Sequence, residues 1–282
     1  MRSPISAALA SLAFAALFSA TPTHASSAPI TLPPPEDSAK QALESSPRHG
    51  EWVDVEYAAH APLRTWVVYP ERPDKAGVVL VIHEIFGLSD WVRAVADRLA
   101  AEGFIAVAPD LVSGLGPAGA GSSDSTASRD DIVKLVRWLS PEETAARLAA
   151  VRAWAATIPS ANGRLATIGF CWGGGRSFAA AAMDPPPQAA VVYYGTAPDS
   201  AGLLRVRAPV LAHYGGDDER VNATIEGAKA ALRKRGVSYE THVYPGAGHG
   251  FLRQQNGRDG ANLKASEQSW PRTIAFLRGH LK

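Results

Sequence analysis

Short, unbroken runs of Val, Ile, Leu and Ala recur along the chain from residue 51 onward, and longer patterned segments separate them. A strand with both faces buried has such a run, because helices cover both sides of a parallel sheet. The alternation therefore predicts a single-domain α/β fold with a mostly parallel central sheet and helices on both faces. The predicted strands are 52–57, 65–69, 78–83, 105–109, 165–170, 190–194, 209–214 and 240–244. The predicted helices are 91–101, 141–156, 174–183, 222–235 and 265–279.

The amino terminus has the pattern of a secretory signal. Arg2 precedes an apolar segment over 5–18, and small residues at Thr23 and Ala25 form an A-x-A-like cleavage site. We predict cleavage after Ala25 and export to the periplasm or the medium. The alternative, an uncleaved membrane anchor, is disfavoured because the apolar segment is short for a bilayer. Residues 26–50, with Ser, Pro and aperiodic charges, are predicted to form a flexible arm before a domain over 51–282.

The charge and cysteine content exclude several classes of function. The formal net charge is +1, which gives no reason to expect nucleic acid or a membrane surface as a partner. A single cysteine excludes an intrachain disulfide and any metal site built from several cysteines. We predict no metal and no other cofactor, a small-molecule partner, and no membrane association once the leader is removed. The oligomeric state is left open.

That single cysteine, Cys171, lies between predicted strand 165–170 and predicted helix 174–183. Gly169 and Gly173 flank it two residues away on each side, which is the nucleophile-elbow pattern G-x-nucleophile-x-G with Cys where Ser is usual. The N–H groups at the start of the following helix favour a thiolate. The pattern predicts a nucleophile, and the alternative is a small buried hydrophobic residue.

A nucleophile of this type needs a base and an orienting acid, which on this fold follow in the order nucleophile, acid, histidine. Four histidines follow Cys171, and only His249 lies in a glycine-rich loop after the last predicted strand. The acid is expected after strand 209–214, where Asp218 sits on the turn before a helix. We predict His249 as the base and Asp218 as the acid, with Asp217 as the alternative acid.

The tetrahedral oxyanion of acyl transfer requires backbone N–H donors. One predicted donor is the residue after the nucleophile, Trp172. The second is expected from the loop over 83–87, which follows an early strand. Backbone donors have no side-chain signature, so this prediction depends on position alone.

Four motifs occur in the order and at the spacing of a known family: HEIFG at 83–87, APDL at 108–111, GFCWGG at 169–174 and GHGF at 248–251. Together they resemble the dienelactone hydrolase family, over most of residues 51–280. The resemblance implies an α/β-hydrolase fold and a carboxylic ester hydrolase activity.

The resemblance also implies roles for individual residues. It implies a triad of Cys171, His249 and Asp218, with Glu84 close to the cysteine, where it helps to set the protonation state of the thiol. It further implies that the amide of Ile85 supplies the second oxyanion donor.

Substrates of the family are similar to carboxymethylenebutenolides, enol lactones that open to keto acids such as maleylacetate. The predicted partner is therefore a small-molecule lactone or ester. The resemblance implies that Arg253 binds the substrate carboxylate. A second substrate-binding arginine has no clear counterpart, and Arg129 is only a provisional one, since the region after Leu111 departs from the family pattern. The alternatives are an acyl esterase of broader specificity, an exported thiol redox protein without a resolving cysteine, and a binding protein that has kept the fold.

Overall fold

The computed structural model describes residues 30–57, 61–116, 123 and 128–282, so the predicted signal segment and its cleavage site lie outside the described residues. The described part of the chain builds an eight-stranded sheet with the order β1-β2-β4-β3-β5-β6-β7-β8. The strands are β1 (Gly50–Val55), β2 (Leu63–Val68), β3 (Ala76–Ile82), β4 (Ile105–Pro109), β5 (Ala161–Phe170), β6 (Ala189–Tyr193), β7 (Val210–Gly215) and β8 (Tyr239–Tyr244).

Strand direction follows the predicted architecture. β1 pairs with β2, and β2 with β4, in antiparallel register, whereas every pair from β4 to β8 across the sheet is parallel. Each strand predicted from an apolar run is present, with its bounds moved by a few residues at most. The predicted α/β fold is confirmed, and the topology is consistent with an α/β-hydrolase fold.

The helices are α1 (Ala39–Glu44), α2 (Asp90–Ala101), α3 (Arg129–Trp138), α4 (Pro141–Ala155), α5 (Trp172–Ala180), α6 (Ser200–Leu203), α7 (Glu219–Asn222), α8 (Ile225–Lys234) and α9 (Ala261–Leu281). The structure contains helices that the prediction lacked, and one predicted helix is divided. The helix expected over 222–235 is divided into α7 and α8, with the Thr224 hydroxyl donating to the carbonyl of Val221 at 2.8 Å. α3 was not predicted, and Ser128 caps its first turn by accepting from the amide of Asp131 at 3.2 Å.

Alternate side chains of β3 build the core on the two faces of the sheet. Val79 and Val81 pack in one apolar cluster with side chains of α2 and α9. Val78 and Leu80 belong to a second cluster with side chains of α4. This is the period-2 alternation of a strand that is buried on both sides. In none of the described ranges does a helix combine the length and apolar character needed to cross a membrane.

The segment before the domain differs from the predicted flexible arm. Its described part contains a short 3-10 turn and α1, which packs against α2. Two proline carbonyls anchor it: Trp91 Nε1 donates to Pro34 O at 3.1 Å, and Gln255 Nε2 donates to Pro33 O at 2.8 Å. The expectation of an arm without regular structure is therefore wrong for this part. Anchoring through backbone carbonyls leaves no side-chain period in the sequence, which is why the pattern did not reveal it.

Candidate active site

Cys171 occupies a sharp turn between the end of β5 and the start of α5. Its backbone has φ 55° and ψ −117°, a positive-φ conformation that is rare for a residue with a side chain. Close packing explains the flanking glycines. A Cβ on Gly169 would lie 2.0 Å from the carbonyl oxygen of Gly173, and a Cβ on Gly173 would lie 2.2 Å from that of His83. The turn thus presents the half-buried Cys171 side chain at the carboxyl edge of the parallel strands.

His249, in the loop after β8, contacts two of the residues named from the sequence. Its Nδ1 donates to Asp218 Oδ2 at 2.5 Å, and its imidazole lies close enough to the side chain of Cys171 for the sulfur to raise the pKa of the ring. Burial alone lowers the pKa of His249, but the hydrogen bonds and charges of Asp218 and Cys171 outweigh it and raise the pKa to about 9. A raised pKa favours the protonated ring, whose positive charge lies beside the side chains of Asp218 and Cys171.

The two candidate acids point to different partners. Asp218 is 8% exposed and faces His249. Asp217 lies at the surface, where its carboxylate accepts from Arg258 at 3.0 Å. The structure therefore brings Asp218, and not Asp217, to the imidazole.

Glu84 lies directly after β3 and is 2% exposed. Arg253 Nε is 2.7 Å from Glu84 Oε2, a close charge contact that is not aligned as a hydrogen bond. Burial raises the pKa of Glu84, although the positive charges of Arg253 and His249 act in the opposite direction. A carboxyl group with a raised pKa opposes a nearby thiolate less than a fully ionised one would.

Tyr194, which was not selected from the sequence, also belongs to this site. It follows β6 with φ 40°, and its ring lies 5.2 Å from the ring of His249. Burial, followed by the charge of Glu84, raises the pKa of the phenol well above its ordinary value. Its buried hydroxyl has no hydrogen-bond partner among the described residues, so it is a free neutral donor beside the histidine. Its position directly after a parallel strand was the available sequence signal.

The two predicted oxyanion donors lie on the two loops that flank the elbow. Trp172 is the first residue of α5, a position whose N–H has no intrahelical partner. Ile85 lies in a tight turn closed by the amide of Gly87, which donates to Glu84 O at 3.2 Å. Apart from regular helix and strand bonding, neither amide donates to an acceptor in the described part of the protein.

His83 holds these loops together. It is fully buried, its Nδ1 lies 2.7 Å from Glu84 O, and its Nε2 accepts from the amide of Leu111 at 3.2 Å. These contacts define a neutral tautomer with the proton on Nδ1, and burial lowers the pKa of the ring. The ring also stacks on Trp172 with centroids 5.5 Å apart. Both loops that carry the predicted oxyanion donors are therefore packed against one buried side chain.

Arg253 and Arg129, the two arginines considered for substrate binding, share a partner. Arg253 forms an ion pair with Glu36, and Arg129 is 3.2 Å from the other carboxylate oxygen of Glu36. Both guanidinium groups lie over the ring of Phe86, at 5.2 Å and 3.7 Å from its centroid. Glu36 belongs to the amino-terminal arm, and nothing in its aperiodic sequence indicated this contact.

Across the described ranges, no group of three or more His, Cys, Asp and Glu is arranged to hold a metal ion.

Comparison with known proteins agrees with the motifs. A model of the dienelactone hydrolase family matches residues 63–281. A Salmonella typhimurium protein named "Putative carboxymethylenebutenolidase" is 30% identical over 262 residues, which cover 89% of this chain and 91% of the relative.

Solved structures with a similar fold include dienelactone hydrolases. A "Putative Dienelactone Hydrolase" from Klebsiella pneumoniae has a TM-score of 0.70 and 27% identity, covering 81% of this chain and 97% of its own. The dienelactone hydrolase from Anabaena variabilis has a TM-score of 0.63 and 25% identity, covering 83% of this chain and 99% of its own. Comparison of sequences and comparison of folds therefore both find similarity to dienelactone hydrolases and to proteins named for the same activity.

Proposed function

The chain belongs to the dienelactone hydrolase family and is a carboxylic ester hydrolase, and from this premise we propose that it opens a lactone or an activated ester through an acyl-cysteine on Cys171. The observation that carries the proposal is the position of His249, which hydrogen-bonds to Asp218 and lies beside Cys171. A nucleophile, a base and an orienting acid in this order form the arrangement used for acyl transfer.

In the first step the thiolate of Cys171 attacks the carbonyl carbon. The N–H groups of Ile85 and Trp172 donate to the oxyanion that forms, and the tetrahedral intermediate then loses the lactone C–O bond. The leaving oxygen takes its proton from the His249 imidazolium, which leaves a thioester and a neutral ring. An enol is a good leaving group, so this chemistry favours enol lactones and activated esters over amides.

In the second step water attacks the thioester carbonyl and transfers a proton to the neutral His249. The C–S bond breaks, the carboxylic acid is released, and the thiolate–imidazolium pair is restored. Asp218 keeps the imidazole in the orientation in which the other ring nitrogen faces the sulfur, and it stabilises the charged ring.

The substrate within this reaction class has two candidates. A carboxymethylenebutenolide, opened to maleylacetate, is supported by the family and by the position of Arg253 beside Glu84. An acyl esterase of broader specificity is supported by a different observation, namely that Arg253 already has two carboxylate partners. The second candidate favours substrates that lack a carboxylate at this position.

Export is part of the proposal. Its support is the amino-terminal sequence, in which a positive charge, an apolar segment over 5–18 and small residues at 23 and 25 follow one another. Fractionation of expressing cells, with sequencing of the mature amino terminus, tests it. Recovery of an uncleaved chain would contradict this part without affecting the chemistry.

Trapping of the acyl-enzyme tests the proposed chemistry. The wild-type protein is mixed with p-nitrophenyl acetate, quenched in acid, digested, and analysed by mass spectrometry. We expect one acetyl group on the peptide that contains Cys171, a burst of nitrophenolate, and loss of both after alkylation of the thiol. Steady hydrolysis with an unmodified Cys171, insensitive to alkylation, would contradict an acyl-cysteine.

A further inference from the structure

The carboxylate of Glu36 bridges two arginines beside the elbow. One oxygen faces Arg253 and the other lies 3.2 Å from Arg129. The two guanidinium groups both rest on Phe86, the neighbour of the predicted oxyanion residue Ile85. A single carboxylate between two cations on one aromatic face is the geometry in which a bound carboxylate ligand would be held.

The charges of this cluster are already balanced. Two arginines face two carboxylates, since Glu84 contacts Arg253 from its buried side. The Arg253 side chain is 9% exposed, so little of it remains for a further ligand. A third carboxylate brought here would meet Glu36 at close range, and like charges placed together are strongly unfavourable.

Glu36 is held in place by the backbone around it. Its amide donates to Arg253 O at 3.0 Å, and the carbonyls of Pro33 and Pro34 accept from Gln255 and Trp91. Two of these bonds fix the arm on the loop that carries Arg253, and the bond from Trp91 fixes it on α2. The arm is outside the range that the family model matches, which begins at residue 63.

We propose that Glu36 is a specificity-determining residue, which fills the Arg129–Arg253 anion site with a carboxylate of the chain itself and so selects lactones and esters without a carboxylate at that position. The inference rests on the proposed hydrolase function. It identifies the substrate class as neutral, and it makes the arm a part of the substrate pocket.

The test compares carboxymethylenebutenolide with its neutral methyl ester. Wild-type protein is expected to hydrolyse the methyl ester with the lower KM. In Glu36→Gln the KM for the acid should fall by roughly tenfold or more, because the like-charge repulsion is removed while both arginines remain. The KM for the methyl ester should change by less than about twofold, because that substrate carries no charge to be repelled.

Asp37→Asn is the matched control. It removes the same charge from the neighbouring exposed residue, whose side chain contacts Asn256 and neither arginine. We expect wild-type kinetics on both substrates. Adding Arg129→Gln to Glu36→Gln should cancel most of the gained affinity for the acid. An unchanged ratio of the two KM values in Glu36→Gln, or an equal change in Asp37→Asn, would overturn the inference.

A binding experiment separates this inference from the proposed chemistry. Furoate, a planar five-membered ring with one carboxylate, is titrated calorimetrically into Cys171→Ala and into Cys171→Ala/Glu36→Gln. Tighter binding by roughly tenfold in the second protein supports the role of Glu36, whether or not the wild type hydrolyses either ester. Equal binding overturns it, and absence of hydrolysis in the wild type contradicts only the proposed function.

Discussion

His249 Nδ1 donates to Asp218 Oδ2 at 2.5 Å, which fixes the orientation of the imidazole beside the side chain of Cys171. The loop after β7 supplies the acid and the loop after β8 supplies the ring, so the contact depends on the parallel register of these two strands. Neighbouring parallel strands end at the same edge of the sheet, and their following residues meet there.

The first prediction compares the two adjacent aspartates. Asp218→Asn should lower kcat for ester hydrolysis by roughly a thousandfold or more, because an amide no longer stabilises the imidazolium or selects its tautomer. Asp217→Asn should change kcat by less than about twofold, since it breaks only the exposed ion pair with Arg258. Steady-state kinetics on one neutral ester measure both variants. A larger loss in Asp217→Asn would transfer the role of the acid to Asp217.

The second prediction concerns stability and pH. The pKa of His249 is raised from 6.5 to about 9 in the folded protein. Because the pKa of His249 is higher in the folded protein than in the unfolded chain, protonation of this ring contributes to the stability of the fold. That contribution is fully present below pH 6.5 and is lost as the pH rises through about 9. The free energy of unfolding in urea should therefore fall between these pH values in the wild type.

His249→Gln is the control for that pH profile. Its free energy of unfolding should lack the part of the fall between pH 6.5 and about 9 that the imidazole causes. NMR titration of the His249 ring in Cys171→Ala should give a lower pKa than in the wild type, because the sulfur contributes to the rise. Parallel stability profiles for wild type and His249→Gln would contradict the shifted pKa.

The third prediction concerns the nucleophile. Cys171→Ala should abolish ester hydrolysis and leave the urea midpoint nearly unchanged, because alanine keeps the same Cβ at the strained φ of 55°. Cys171→Ser should retain a small residual rate, since serine ionises much less readily than cysteine in a site with no stronger base. Hydrolysis at the wild-type rate in the purified alanine variant would contradict the assignment.

The sheet and its active edge were accessible to sequence analysis because they depend on local signals. Apolar runs mark the buried strands, and the spacing of Gly169 and Gly173 around Cys171 marks the elbow. The choice between Asp217 and Asp218 was harder, because both lie on one turn and only the direction of each side chain separates them. That direction depends on contacts with distant residues, Arg258 for one and His249 for the other.

The positions of Glu36 and Tyr194 beside the candidate site could not be predicted in the same way. Glu36 reaches Arg253 across 217 positions of sequence, and its segment is fixed by proline carbonyls rather than by an apolar period. Tyr194 resembles an ordinary core tyrosine at the end of a strand in the sequence, which indicates neither its positive φ nor its ring contact with His249. Both depend on tertiary contacts without a local pattern.

The fourth prediction tests why glycine occupies the elbow. In Gly173→Ala the new Cβ would lie 2.2 Å from the carbonyl oxygen of His83, a backbone atom that cannot move without displacing β3. We expect a loss of about 3 kcal/mol in the free energy of unfolding and a lower kcat. Gly227→Ala, also within a helix but with no atom within 4 Å of the new Cβ, should instead add about 0.5–1 kcal/mol. Equal stabilities for the two variants would contradict the steric argument.

The last prediction concerns the buried pair of Arg253 and Glu84, whose side chains are 9% and 3% exposed. Arg253→Met leaves the Glu84 carboxylate buried without its cation and should cost about 3–5 kcal/mol in the free energy of unfolding. Arg258→Met, which breaks the half-exposed pair with Asp217, should cost less than about 1 kcal/mol. Chemical denaturation at neutral pH measures both variants.

Replacement of both partners of that pair should restore much of the lost stability, because Arg253→Met/Glu84→Gln leaves no unpaired buried charge.

The loss of stability in the single variant Arg253→Met should also depend on pH. Burial already raises the pKa of Glu84 above 4.5, and removal of Arg253 should raise it further. A carboxyl group whose pKa is higher in the folded protein than in the unfolded chain destabilises the fold as the pH rises from the unfolded-state pKa through the folded-state pKa. The loss of stability in Arg253→Met should therefore be small below pH 4.5 and large at neutral pH. A loss that is independent of pH, or a double variant no more stable than Arg253→Met, would mean that Arg253 stabilises the site through its packing on Phe86 rather than through its charge.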